Sequence, residues 1–136
     1  MRLTIEKGRI LDPASKSDSK KDLFIDGGKI VSIEKKPDGF ESDFQIDAKD
    51  KIILPGLVDL CARLREPGYA YKATFQSECK AANSNGITSI CCPPDTNPVV
   101  DSTAVVDLIH QRARETNRTN VYPFAALTLG LKGEHL

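Results

Sequence analysis

The hydrophobic periodicity of the chain changes at Pro55-Gly56, and that change restricts the fold to a β-rich segment followed by a run of strand–helix units. Before the boundary, Leu3 and Ile5 alternate with Thr4 and Glu6, and Leu23 and Ile25 alternate with Phe24 and Asp26. A period of two belongs to strands, because successive side chains leave opposite faces. Ile30, Val31 and Ile33 follow Asp26-Gly27-Gly28. Glycine tolerates the positive φ angles of a two-residue hairpin loop, so strands near 22–26 and 29–34 are expected to pair antiparallel. A short strand is expected over 52–54, and the polar stretch 37–43, PDGFESD, is expected as a surface loop.

After the boundary the rhythm becomes βαβαβ. An apolar run at 57–60 leads to a helical stretch, then a strand over 87–92, a second helix and a strand over 121–127. In the first helical stretch Phe75, Cys79 and Ala82 fall at i, i+4 and i+7, and Asn85-Gly86 supplies a stop, which predicts a helix over 75–84. In the second, Ser102 or Thr103 can cap the start, Val105, Leu108 and Ile109 form the apolar face, and Arg112 and Arg114 suit the C-terminal end of the dipole. That helix is expected over 103–115. Strands separated by helices imply a parallel sheet, since a parallel connection needs a crossover of about a dozen residues or more. Barrel and doubly wound folds both satisfy this pattern.

Charge excludes two classes of partner. Lys plus Arg and Asp plus Glu stand at 19 each, so no basic surplus exists to neutralise nucleic-acid phosphates or to hold an anionic membrane. Lys20-Lys21 and Lys35-Lys36 are expected as solvated faces. The N-terminal MRLTIEKGRILDP interrupts its apolar residues with charge and does not read as a signal peptide, which places the expected location in the cytoplasm. Cys61, Cys79, Cys91 and Cys92 lack the spacing of a disulfide framework and are expected as reduced thiols, each a small buried hydrophobe. A zinc site built from Cys61 with Cys91 or Cys92 would lack paired C-x-x-C spacing. His110 and His135 are expected on the solvated surface, and no glycine pattern supports phosphate binding.

The chemistry-bearing stretch is LPGLVDLCARLREPG at 54–68. If 57–64 is a strand, Asp59, Cys61, Arg63 and Arg65 share one side, the later ones at its C-terminal end, where barrel enzymes carry their reactive groups. Residues 55–68 resemble the first barrel strand of dihydroorotases and related cyclic amidohydrolases, whose pattern is PG-hydrophobic-D-x-H-x-H-L-R-E-P-G. A second block, CPPDTNPVVDS at 92–102, resembles that family's MPNTNP loop after the second strand. The fold implied is the N-terminal part of an amidohydrolase TIM (β/α)8 barrel, here 56–136, preceded by a partial β-sandwich segment at 1–55. The order of elements through VYPFAALTLGLKGE follows the family as well.

Two departures bear on function. Cys61 and Arg63 stand where the resemblance places a pair of zinc-binding histidines, whose metal activates water against a cyclic amide. Cysteine can ligate zinc as thiolate. Arginine cannot, because its guanidinium stays protonated and offers donors only, and its fixed charge repels a dication. Asp95 stands in place of the family's substrate-binding asparagine, and its carboxylate would repel an anionic substrate. Arg65 corresponds to the arginine that grips the substrate carboxylate; the residue alone is equally compatible with a salt bridge to Glu66 or Asp95. No catalytic residue, metal or cofactor is therefore expected in this chain, with zinc reserved for active relatives. Arg65 and Asp95 are expected as a vestigial substrate site, and Arg63 is expected to pair with Asp59, Asp95 or both.

With these departures the chain resembles the inactive dihydroorotase-like subunits that accompany aspartate transcarbamoylase in some bacteria. That implies a structural role in pyrimidine biosynthesis, with the transcarbamoylase catalytic chain as partner and homo-oligomers as a further option. The rival expectation is a working zinc-dependent cyclic amidohydrolase that uses Cys61 and ligands from later strands. Because 136 residues supply three of eight barrel strands, the chain is expected to be truncated, with exposed apolar faces and poor solubility or partial folding.

Overall fold

The computed structural model describes residues 1–136, which divide into two compact units, Met1–Pro55 and Gly56–Leu136. The division falls where the periodicity changes.

The first unit is all β. Strands β1 (Arg2–Glu6), β2 (Arg9–Asp12), β3 (Ser17–Lys20), β4 (Leu23–Asp26), β5 (Lys29–Ile33), β6 (Phe44–Asp47) and β7 (Ile52–Ile53) form two sheets, ordered β5-β4-β1-β6 and β3-β2-β7. Asp26 pairs with Lys29 across the expected hairpin, and Gly27 and Gly28 adopt φ of 56° and 78°, as a two-residue loop requires. The core holds Ile10, Leu23, Phe24, Phe40 and Ala48. Phe40 comes from the stretch expected as a polar surface loop; its ring meets Phe24 edge-on at 5.5 Å, so the loop is pinned by one aromatic anchor. Thr4, opposite Phe24 in the β1–β4 pairing, is buried, and its hydroxyl is satisfied by a hydrogen bond with the Ser42 hydroxyl.

The second unit is a three-stranded parallel sheet, β10-β9-β8, with two crossover helices. Its elements are β8 (Leu57–Asp59), α1 (Phe75–Ser84), β9 (Ile87–Cys92), α2 (Thr103–Thr116) and β10 (Asn120–Pro123). Thr74 begins α1 with a reciprocal cap: its hydroxyl accepts from the Ser77 N–H at 3.1 Å while the Ser77 hydroxyl accepts from the Thr74 N–H at 3.0 Å. Phe75, Cys79 and Ala82 are buried, as their spacing predicts. They pack with Ile90, Cys92, Val121, Val100 and Ile109 in one cluster, of which Cys79, Ile90, Val100 and Ile109 are fully buried.

Four expectations are corrected here. The α2 face is Val105, Ile109 and Ala113 rather than Val105, Leu108 and Ile109; Leu108 is 38% exposed, because the i, i+4, i+8 stripe is narrow and position 108 lies to one side of it. Ser102 has the extended backbone of an N-cap, yet its side chain makes no capping hydrogen bond. The last strand ends at Pro123 instead of running to 127, because its partner β9 ends at Cys92; the last bond between them runs from the Phe124 N–H to the Cys92 carbonyl at 2.9 Å. His110 is half-buried rather than fully solvated, whereas His135 is exposed.

Candidate functional site

Chain geometry after β8 differs from a continued strand. Regular structure stops at Asp59, whose carboxylate accepts the Cys61 N–H at 2.9 Å and so turns the chain two residues on. The Ala62 N–H donates to the Cys91 carbonyl at 3.0 Å, Leu64 turns into the core at 3% exposed, and Arg65 adopts a left-handed φ of 68°. The expected common face of Asp59, Cys61, Arg63 and Arg65 therefore does not exist as a strand face, because its period of two lapses with the ladder. Cys61 is exposed, which corrects the expectation of a buried hydrophobe; Cys79 and Cys92 are buried, and Cys91 is half-buried.

Arg63 meets Asp95. Its Nε donates to the Asp95 carboxylate at 2.8 Å, and both side chains are about half exposed, at 49% and 45%. The hydrogen bond and the charge of Asp95 push the Arg63 guanidinium above its ordinary pKa, so it stays cationic at any working pH. Asp59, the other partner considered for it, is engaged with the Cys61 backbone. Arg65 forms neither of the salt bridges considered for it; the Glu66 carboxylate instead accepts the Phe75 N–H at 2.7 Å, at the positive end of the α1 dipole. Arg63, Arg65, Glu66, Tyr69, Asp95 and Thr96 all line one cavity of about 10 Å3, room for a single water molecule.

Several contacts that shape this site carried no sequence signal of their own. The Asn97 N–H donates to the Pro67 carbonyl at 3.1 Å, and the Thr96 hydroxyl donates to the Pro98 carbonyl at 2.7 Å. A Cβ at Gly68, whose φ is 98°, would fall 2.4 Å from the Asn97 carbonyl oxygen, so that glycine permits two loops to touch. The role of Glu66 at the N-terminus of α1 had no local sequence signal, because it lies nine residues before Phe75, whose N–H it accepts.

The sequence pattern described as Dihydro-orotase-like matches residues 50–136. The chain belongs to that family. This dihydroorotase-like chain is 48% identical over its whole length to a dihydroorotase-like protein of Pseudomonas putida, covering 32% of that protein. It is 42% identical to a dihydroorotase of Syntrophus aciditrophicus (strain SB), again covering 32% of it. Its fold matches L-hydantoinase (dihydropyrimidinase) from Arthrobacter aurescens with a TM-score of 0.77 at 21% identity, over 90% of this chain and 27% of the other. The dihydroorotase-like chain thus spans about a third of the length of the relatives it matches, and its fold is the N-terminal part of the amidohydrolase barrel with the β segment that precedes it.

Zinc, the metal of the family's active members, does not fit the residues present at this site. Arg63 has no lone pair to give and is already paired. Cys61 belongs to no group of three or more His, Cys, Asp and Glu side chains placed to hold a metal ion.

Proposed function

We propose that this dihydroorotase-like chain is a non-catalytic member of its family, acting in pyrimidine biosynthesis as a structural partner of the aspartate transcarbamoylase catalytic chain. One observation carries the reading: the Arg63–Asp95 ion pair occupies the two positions at which the family's pattern has a zinc-binding histidine and a substrate-binding asparagine. An arginine and a carboxylate that satisfy each other leave neither a metal ligand nor a neutral hydrogen-bonding group for an anionic substrate. Arg65 and Asp95 are then the remains of a substrate site. The 48% identity to a protein named dihydroorotase-like supports the family kinship on which the reading builds.

The rival reading, an active zinc-dependent cyclic amidohydrolase with an atypical site, is favoured by the exposed thiol of Cys61 and by the 42% identity to a protein named dihydroorotase. Zinc content and dihydroorotate turnover of the full chain, together with its co-purification with aspartate transcarbamoylase, separate the two. Co-purification without zinc or turnover is expected. Stoichiometric zinc with turnover would overturn the proposal.

A further inference from the structure

We infer that Arg63 and Asp95 form an internal charge clamp that ties the loop after β8 to the loop after β9, a cross-link made by two side chains where a metal centre would use a cation. The inference deepens the proposed function and rests on its reading that no metal occupies this place. The segment that follows β8 is held at one end by β9 itself and at the other by the loop after β9. At one end the Ala62 N–H donates to the Cys91 carbonyl at 3.0 Å. At the other, the Asn97 N–H reaches the Pro67 carbonyl at 3.1 Å and the Gly68 backbone lies against Asn97. Between those ends the backbone of 63–66 makes no hydrogen bond to 93–98, and the Arg63 Nε to Asp95 contact at 2.8 Å is the one that spans the gap.

Leu64, between the two arginines, is 3% exposed, so the segment is anchored inward and Arg63 is held outward toward Asp95. Glu66 is not available to compete for Arg63, because its carboxylate is committed to the Phe75 N–H. Arginine suits this post better than lysine: its planar fork keeps direction when half exposed, and it never loses its proton. Exposure limits the strength of the pair and makes it sensitive to salt. The clamp is therefore a device for holding loop geometry, not a major source of stability.

Hydrogen exchange on the full chain tests this. Asp95→Asn keeps the shape and removes the charge; it is expected to raise amide exchange in both 61–68 and 93–98 together by about twofold to fivefold, with α1 and α2 unchanged. Added salt should loosen both loops of the wild type and have no further effect on Asp95→Asn. The swapped pair, Arg63→Asp with Asp95→Arg, should recover protection. Should that double variant fail to fold, Arg63→Lys must retain part of the protection that Arg63→Gln loses. Loosening confined to the mutated loop, or salt-insensitive exchange in the wild type, would overturn the clamp and leave the proposed function standing. Zinc bound beside Arg63, seen as a zinc-dependent slowing of exchange in both loops, would overturn both.

Discussion

At residue scale, burial and backbone conformation decide which side chains are chemically available. Desolvation pushes the Cys92 thiol up to about 11 and also raises Cys79, while Cys61 is exposed. Alkylation under native conditions should therefore modify Cys61 first and reach Cys79 and Cys92 only on unfolding, which mass spectrometry of labelled peptides will show. The same shift has a signed consequence for stability. An unfolded chain releases the Cys92 proton near the ordinary 9.0, whereas the folded chain holds it to about 11. Below 9.0 both states are protonated and this group leaves stability unchanged. Stability is expected to fall as pH rises from 9.0 towards about 11, where the folded state alone retains the proton, and denaturation midpoints across that interval will check it. Gly68 sets a second expectation. With φ at 98° and Asn97 where a Cβ would stand, Gly68→Ala should destabilise the second unit by at least about 1–3 kcal/mol, read from the shift in denaturant midpoint.

At the scale of elements, local sequence was informative wherever a helix stands on its own cap and stripe. The spacing of Phe75, Cys79 and Ala82, closed by Asn85-Gly86, predicts the residues that α1 in fact covers. α2 ends one residue later than expected, with Asn117 in a left-handed conformation. The two N-termini differ in a way their sequences do not announce. Thr74 caps through its side chain and Ser102 does not. Thr74→Ala should therefore cost about 1 kcal/mol of stability, whereas Ser102→Ala should leave the thermal midpoint unchanged, a contrast that a pair of melting curves measures. Strand ends were less legible. β8 stops at Asp59 because an aspartate carboxylate captures a nearby N–H, and β10 stops at Pro123, so both strands are shorter than their apolar runs.

At the scale of the whole molecule, each unit leaves apolar surface in solvent. Leu57, Val58 and Leu60 are 51%, 58% and 69% exposed, and Tyr122, Phe124 and Leu127 are 52%, 50% and 81% exposed. In the first unit Ile30, Ile33, Ile53 and Leu54 line an open groove of about 460 Å3. Surfaces of this kind are covered in stable monomers. The 136-residue chain alone should bind a hydrophobic dye in its folded state and associate as its concentration rises, which fluorescence and light scattering will detect. No helix is long and apolar enough to cross a membrane, so the exposed residues do not belong to a helical span.

Periodicity, caps and turn residues made the element order, the parallel sheet and the boundary at 55–56 readable from the amino acids, because those signals act over a few neighbouring residues. The departure at position 63 was readable too, since what a guanidinium cannot do is a property of the group alone. The partner of Arg63 was readable only as a choice between Asp59 and Asp95, of which the structure takes Asp95, and the partners of the other groups were not readable. Cys61 points to solvent, Asp59 serves a backbone turn, Glu66 caps a helix, and Arg63 takes Asp95 from 32 residues away, since which donors and acceptors satisfy each other depends on where two separate loops come to rest.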